Sequence, residues 1–80
     1  MRKLLANTPL SNIDRLVGLR VLQLRQRHRL THSRLARYLE ISSSNYEAYE
    51  LGTKRVPARH LHELVHLFGE PTSFFFQDLT

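Results

Sequence analysis

The first strong pattern in this chain is a helix with two apolar faces, expected over about residues 12–28. Apolar residues at intervals of three and four form the face that we expect in the core: Ile13, Val17, Val21 and Leu24. A second apolar stripe falls on another side of the same helix: Leu16, Leu19 and Leu22. A surface helix in a small monomer needs one buried face, so this second stripe is covered either by the N-terminal arm or by another copy of the chain.

Two shorter helices joined by a tight turn follow, over about residues 32–39 and 43–50. Thr31 and Ser42 precede these helices and can cap them, because a hydroxyl oxygen accepts hydrogen bonds from the free N–H groups of a first helical turn. The unit as a whole, residues 31–52, has the layout of a helix-turn-helix, and a glycine at its end favours termination of the second helix.

The last third of the chain predicts a fourth helix over residues 58–68 and a short fifth helix after Pro71. The fifth helix carries consecutive aromatic residues, which cannot all point into one core: Phe74, Phe75 and Phe76. At least one of them is therefore expected to be partly exposed or to lie in a subunit interface. We expect an all-α fold with one domain over residues 12–80, preceded by an N-terminal arm at 1–11.

Composition narrows the class of partner. The chain has 12 Lys and Arg residues against 7 Asp and Glu, a net charge of +5, which suits an anionic partner such as a nucleic acid. A ribosomal protein or a membrane-surface peptide can show the same balance. No stretch approaches the length of about 20 apolar residues that spans a bilayer, and Pro9 interrupts the start too soon for a signal peptide. We therefore expect a cytoplasmic protein without membrane contact.

The sequence offers few candidate metal ligands or catalytic residues. Cysteine is absent, which excludes disulfides and thiolate metal sites. Two histidine pairs have i, i+4 spacing, His28 with His32 and His62 with His66, but no further ligand completes a four-coordinate site. Because the sequence also offers no nucleophile with a base and no phosphate-binding glycine loop, we expect no metal, no cofactor and no enzymatic activity.

Besides the helix-turn-helix layout, residues 17–76 contain a series of short characteristic segments in a fixed order. The segments are Leu24-Arg25, Leu30-Thr31-His32, Leu35-Ala36, Leu39-Glu40-Ile41-Ser42, Tyr49-Glu50-Leu51-Gly52, Pro57 and Leu67-Phe68-Gly69. Together they resemble the Xre/Cro-type helix-turn-helix family, which has the fold of phage lambda-type repressors. The resemblance implies a five-helix domain whose third helix, residues 43–50, is the recognition helix. It also implies an ion pair between Arg25 and Glu50.

The resemblance further implies double-stranded DNA as the partner. The residues expected to face bases or phosphates are His32, Ser33, Arg34, Ser43, Ser44, Asn45, Glu47, Ala48, Thr53, Lys54 and Arg55. The recognition helix carries no Arg, Lys or Gln, the side chains that make strong bidentate contacts with guanine or adenine. Glu47 can accept a hydrogen bond from cytosine N4 or repel phosphate. We therefore expect DNA shape or peripheral cations to supply much of the specificity.

Two residues depart from the family pattern. His32 stands where the family usually has Gln, at a position that touches phosphate or a base, so a pH-dependent contact and a solvated surface histidine are both open. Glu40 stands where the family usually has Gly in the turn. If the backbone there is left-handed, Glu costs about 1 kcal/mol that Gly would not.

The function predicted from these features is a homodimeric repressor on a palindromic DNA site. A phage or mobile-element repressor, a restriction–modification controller and an antitoxin all fit this description. Two surfaces are candidates for the dimer contact, the stripe of Leu16, Leu19 and Leu22, and the aromatic tail: Phe74, Phe75, Phe76 and Leu79. The alternative is a protein-interaction module, antiactivator-like or antitoxin-like, that binds a toxin or another regulator through the same fold.

Overall fold

The computed structural model describes residues 12–76 and places in them four α-helices followed by a short 3₁₀-helix. The elements are α1 (Asn12–Arg27), α2 (His32–Leu39), α3 (Ser43–Leu51), α4 (Ala58–Phe68) and the 3₁₀-helix (Thr72–Phe76). The predicted N-terminal arm at residues 1–11 and Leu79 lie outside the described residues. None of the described helices is long and apolar enough to cross a bilayer.

The predicted count of five helices needs a correction at the last element. Residues 72–76 form a 3₁₀-helix rather than an α-helix, and the amide of Phe74 bonds to the carbonyl of Pro71, three residues back. A 3₁₀-helix suits a segment this short, because i→i+3 bonding closes a turn with fewer residues than α-helical bonding needs.

Local hydrogen bonds fix the ends of the two central helices. The Thr31 hydroxyl accepts from the Arg34 amide at 3.1 Å, and the Ser42 hydroxyl accepts from the Asn45 amide at 3.1 Å. Gly52 ends α3 in the left-handed region, at φ 76°. These contacts satisfy free backbone groups at the termini; α2 has the predicted bounds, and α3 runs one residue further than predicted, to Leu51.

Glu40 forms the turn between α2 and α3 in a left-handed conformation, with φ 61° and ψ 42°. The following amide, of Ile41, bonds to the carbonyl of Ala36 at 2.9 Å. The turn therefore keeps a geometry that glycine adopts more easily, and we assign Glu40 a cost of about 1 kcal/mol.

The core lies between α1 and the other helices, and each helix contributes side chains from one of its faces. Its buried apolar members are Val17, Val21, Leu24, Leu35, Ala36, Leu39, Tyr46, Tyr49, Leu64, Phe68 and Phe75. Ile13, predicted for the same face of α1, is instead 46% exposed. It lies in the first turn of α1, one turn before Val17, where the described residues do not cover it.

A close approach of backbones sets how α3 lies on α1. A Cβ added to Gly18 would collide with the carbonyl oxygens of Tyr49 and Glu50, so only glycine allows this contact. The position of α3 on α1 is thus defined by main-chain atoms of both helices, which leaves less freedom than a contact between flexible side chains would.

The aromatic tail divides between the core and the surface. Phe75, a predicted dimer contact, is fully buried within this chain and offers no surface to a second copy. Phe74 and Phe76 are half-buried. The guanidinium groups of Arg20 and Arg27 lie 5.5 Å and 5.7 Å from the centre of the Phe74 ring, which joins the 3₁₀-helix to α1.

Candidate nucleic-acid interface

Helix α3 has one buried side and one open side. Tyr46 and Tyr49 point into the core, where their exposed fractions are 0% and 3%. The open edge carries the predicted base-facing residues: Ser43, Ser44 and Glu47 are exposed, and Asn45 and Ala48 are half-buried. The helix therefore presents a narrow polar ridge to solvent along its first two turns, the shape that a DNA groove can receive.

A largely buried ion pair joins α3 to α1. Arg25 Nε lies 2.6 Å from Glu50 Oε2, and Arg25 Nη2 donates to Glu50 Oε1 at 3.3 Å. The same guanidinium donates to the carbonyl of Leu30 at 3.0 Å. The hydrogen bond to Glu50 raises the pKa of Arg25, although burial acts in the opposite direction. The structure thus contains the pair that the family resemblance implies.

Both tyrosine hydroxyls of α3 find partners inside the fold. Tyr46 donates to Glu50, and burial together with this hydrogen bond raises the pKa of Tyr46 well above its ordinary value. The Tyr49 hydroxyl lies 2.9 Å from Nδ1 of His60, and burial raises the pKa of Tyr49. Sequence reasoning missed His60 as a partner, although its spacing from Leu64 and Phe68 places it on the buried face of α4.

His32 stands between two carboxylates of α3. Its Nε2 lies 3.2 Å from Glu50 Oε1 and its Nδ1 lies 3.3 Å from Glu47 Oε2. The imidazole ring also packs against Tyr46, with ring centres 5.7 Å apart. The residue predicted to touch DNA directly is therefore engaged with α3, including its exposed acidic residue.

The start of α2 lies beside the start of α3. Ser33 Oγ and Ser43 Oγ are 3.5 Å apart, which brings the first turns of both helices together. Arg34, one residue further along α2, is exposed. The structure thus brings Ser33 next to the first turn of α3, whereas Arg34 lies beside Leu30, Tyr38 and Leu67.

The loop after α3 returns toward both α3 and α1. Lys54 Nζ donates to Asn45 Oδ1 at 2.8 Å, and the Thr53 hydroxyl donates to the Ala48 carbonyl at 3.4 Å. Arg55 instead donates to both carboxylate oxygens of Asp14, at 3.0 Å and 3.2 Å, and these bonds raise the pKa of Arg55. Lys54 is therefore close to the open edge of α3, while Arg55 is held by α1.

Among the described residues, the histidine pairs considered as metal sites have no further ligands close to them. His28 packs on Phe68 with ring centres 4.9 Å apart, whereas His32 faces α3. His62 and His66 lie together on α4, with ring centres 5.4 Å apart. Within residues 12–76 no group of three or more His, Cys, Asp or Glu side chains is placed to hold a metal ion.

Comparison with known proteins identifies the kind of domain. A curated relative, the "Uncharacterized transcriptional regulator in ATPase CF(0) region" of Rhodospirillum rubrum, is 34% identical over 68 residues, which is 85% of this chain and 63% of the relative. The chain thus spans less than two thirds of that relative's length. No solved structure matches significantly. The family described as "Helix-turn-helix domain" matches residues 16–73, most of the chain, and the protein therefore belongs to this helix-turn-helix domain family.

Proposed function

We propose that this chain is a DNA-binding regulator of transcription that inserts the open edge of α3 into the major groove. The observation that carries the proposal is the exposure of Ser43, Ser44 and Glu47 on a helix whose opposite side is fixed to the core. The curated relative's designation as a transcriptional regulator supports the same class of function. Double-stranded DNA is the partner.

The cations near α3 supply contacts to phosphate. In a helix-turn-helix, the recognition helix enters the groove at its N-terminus and the preceding helix crosses the backbone. Lys54, on the loop after α3, lies beside the first turn of α3 through its hydrogen bond to Asn45, and Arg34 is exposed on the preceding helix α2. Arg55 can add a contact only if its bonds to Asp14 rearrange.

The finer proposal is a homodimeric repressor of Xre/Cro type on a palindromic site. A single small domain buries limited DNA surface, so two copies with half-sites about one helical turn apart bind more tightly. Leu19 is 46% exposed on the second apolar stripe of α1, and Phe74 and Phe76 are half-buried on the tail. Each surface offers apolar area to a second copy.

A mobility-shift assay tests the proposal directly. The protein is mixed at low salt with DNA from upstream of its own gene and with a pool of random duplexes. We expect retardation that weakens in the Arg34→Ala and Lys54→Ala variants and declines as salt rises. Arg27→Ala removes the same charge beside the 3₁₀-helix, away from α3, and should bind as the wild type does. Absence of retardation in all duplexes would contradict the proposal.

A protein-interaction module is the second candidate, and two exposed apolar side chains favour it. Leu51 is 71% exposed at the end of α3, and Leu19 is exposed on α1. A partner such as a toxin or another regulator could bury both. In that case the protein would form a stable complex with the partner and would not retard DNA, and Leu51→Ser would weaken the complex.

A further inference from the structure

We propose that Glu47, held in place by His32, selects a cytosine in the bound DNA, so that the recognised site contains a C·G pair facing Glu47. The inference rests on the proposed function and adds to it the identity of one base. It follows from the hydrogen-bonding character of the Glu47 carboxylate and from the contacts that orient it.

Glu47 offers an acceptor to the groove. Its side chain is 55% exposed on the open edge of α3. One carboxylate oxygen, Oε2, faces the His32 ring at 3.3 Å. The other oxygen, Oε1, makes no hydrogen bond within residues 12–76, so it can accept one from DNA.

An ionised carboxylate favours cytosine among the four bases. It can only accept hydrogen bonds, whereas guanine presents two acceptors in the major groove and thymine presents an acceptor and a methyl group. Adenine presents the N6 donor next to the N7 acceptor, which repels a carboxylate. Cytosine presents the N4 donor with no neighbouring acceptor on its own edge.

The other side chains on the open edge discriminate less. The hydroxyls of Ser43 and Ser44 donate or accept, so either serine can meet any base. Ala48 offers only a methyl group. The Oδ1 of Asn45 already accepts from Lys54 at 2.8 Å. Because its carboxylate can only accept hydrogen bonds, Glu47 is therefore the side chain on this edge that discriminates most strongly between bases.

His32 acts as the positioning residue for Glu47. The ring is anchored through Nε2 to Glu50, whose side chain is 4% exposed and is bonded to Arg25 and Tyr46. Because both ring nitrogens face carboxylate oxygens, an imidazole with a proton on each nitrogen satisfies both contacts, while a neutral ring satisfies one.

Binding-site selection from a randomised duplex pool tests this assignment. We expect the wild-type protein to enrich C at one position of the site. Replacement of that C·G pair should weaken wild-type binding on the order of 5- to 150-fold, the usual range for one base contact. Glu47→Gln should shift the preference at that position toward A, because an amide can accept from adenine N6 and donate to N7. Glu47→Ala should lose the preference there and keep it elsewhere.

The His32→Ala variant tests the positioning role. It should weaken the preference for C at the same position, and His32→Ala with Glu47→Ala should show the same base preferences as Glu47→Ala alone. A merely structural role for His32 would lower affinity without changing base preference. Circular dichroism of each variant checks that the fold is kept.

The outcomes separate two kinds of failure. If the wild-type protein enriches no DNA, the proposed function fails and this inference fails with it. If the wild-type protein enriches a site and Glu47→Ala selects the same bases at every position, only the inference about Glu47 is overturned.

Discussion

Arg25 of α1 and Glu50 of α3 are joined by an ion pair whose shortest contact, Nε to Oε2, is 2.6 Å. The same carboxylate accepts a hydrogen bond from Tyr46 in the core and lies 3.2 Å from His32 at the start of α2. One buried acidic group thus links the first three helices. Because α3 carries the open edge proposed to enter DNA, the pair stabilises that edge and adds to the main-chain contact at Gly18 in holding its position.

Removal of one member of this pair should destabilise the fold strongly. Arg25→Ala and Glu50→Ala each leave a charge without its partner, and we expect a loss of about 3–5 kcal/mol in the free energy of unfolding. Replacing both residues with Met should cost less than either single change, since no charge is then left buried. Urea denaturation measures the differences.

The surface ion pair of Arg27 and Glu70 is the matched control for that experiment. Its two side chains are 56% and 28% exposed, and the distance from Arg27 Nη1 to Glu70 Oε2 is 3.3 Å. Glu70→Gln should cost less than about 1 kcal/mol, because solvent screens an exposed pair. Equal costs for Glu50→Ala and Glu70→Gln would show that the buried pair has no special role.

Glu40→Gly should stabilise the protein by up to about 1 kcal/mol, because glycine adopts the left-handed turn without a steric cost. Glu63→Gly, in the interior of α4, is a suitable control and should destabilise by about 1 kcal/mol. Thermal unfolding followed by circular dichroism measures both variants. A lower melting temperature for Glu40→Gly would contradict the assignment of strain to residue 40.

Gly18→Ala should destabilise the protein although alanine normally favours a helix. The added methyl group meets the carbonyl oxygens of Tyr49 and Glu50, which are main-chain atoms and cannot rotate away. We expect a cost of about 1–3 kcal/mol and a displacement of α3 that also weakens DNA binding. Gln26→Ala, on the exposed side of α1, should leave both properties unchanged. A more stable Gly18→Ala variant would show that α1 and α3 are less closely packed.

Alkaline pH should destabilise the fold partly through Tyr46. The pKa of Tyr46 is raised in the folded state, so as the pH rises above about 10 the unfolded chain loses this proton first. The stabilising contribution of the protonated phenol is full below pH 10 and declines above it. Tyr46→Phe should therefore show a shallower decline, by up to about 1.4 kcal/mol per pH unit. Urea denaturation at several pH values between 8 and 11 compares the two proteins, and identical slopes would contradict the prediction.

Local signals in the sequence predicted the helix-turn-helix closely. The caps at Thr31 and Ser42 act on amides three residues away, and the glycine at 52 ends α3 in the left-handed region. Such contacts depend on neighbouring residues only, so the sequence pattern is sufficient to place them.

The pattern of residues along the sequence does not predict contacts between residues that are far apart in the chain. Arg55 binds Asp14, 41 residues earlier, and His32 binds Glu50, 18 residues later. The spacing of charged residues along the sequence does not identify these partners, because the chain offers many other basic and acidic residues that could pair with them. Periodicity predicts Ile13 in the core because it shows which side of a helix is apolar. It does not show at which residue the neighbouring helices stop covering that side.

An NMR titration of the isotope-labelled protein with a duplex recovered by binding-site selection tests the central claim most directly. We expect the changes in backbone amide shifts to concentrate at residues 31–34, 43–48 and 53–55. Shifts confined to α4 or to the exposed side of α1 around Leu19, with α3 unchanged in the complex, would contradict it.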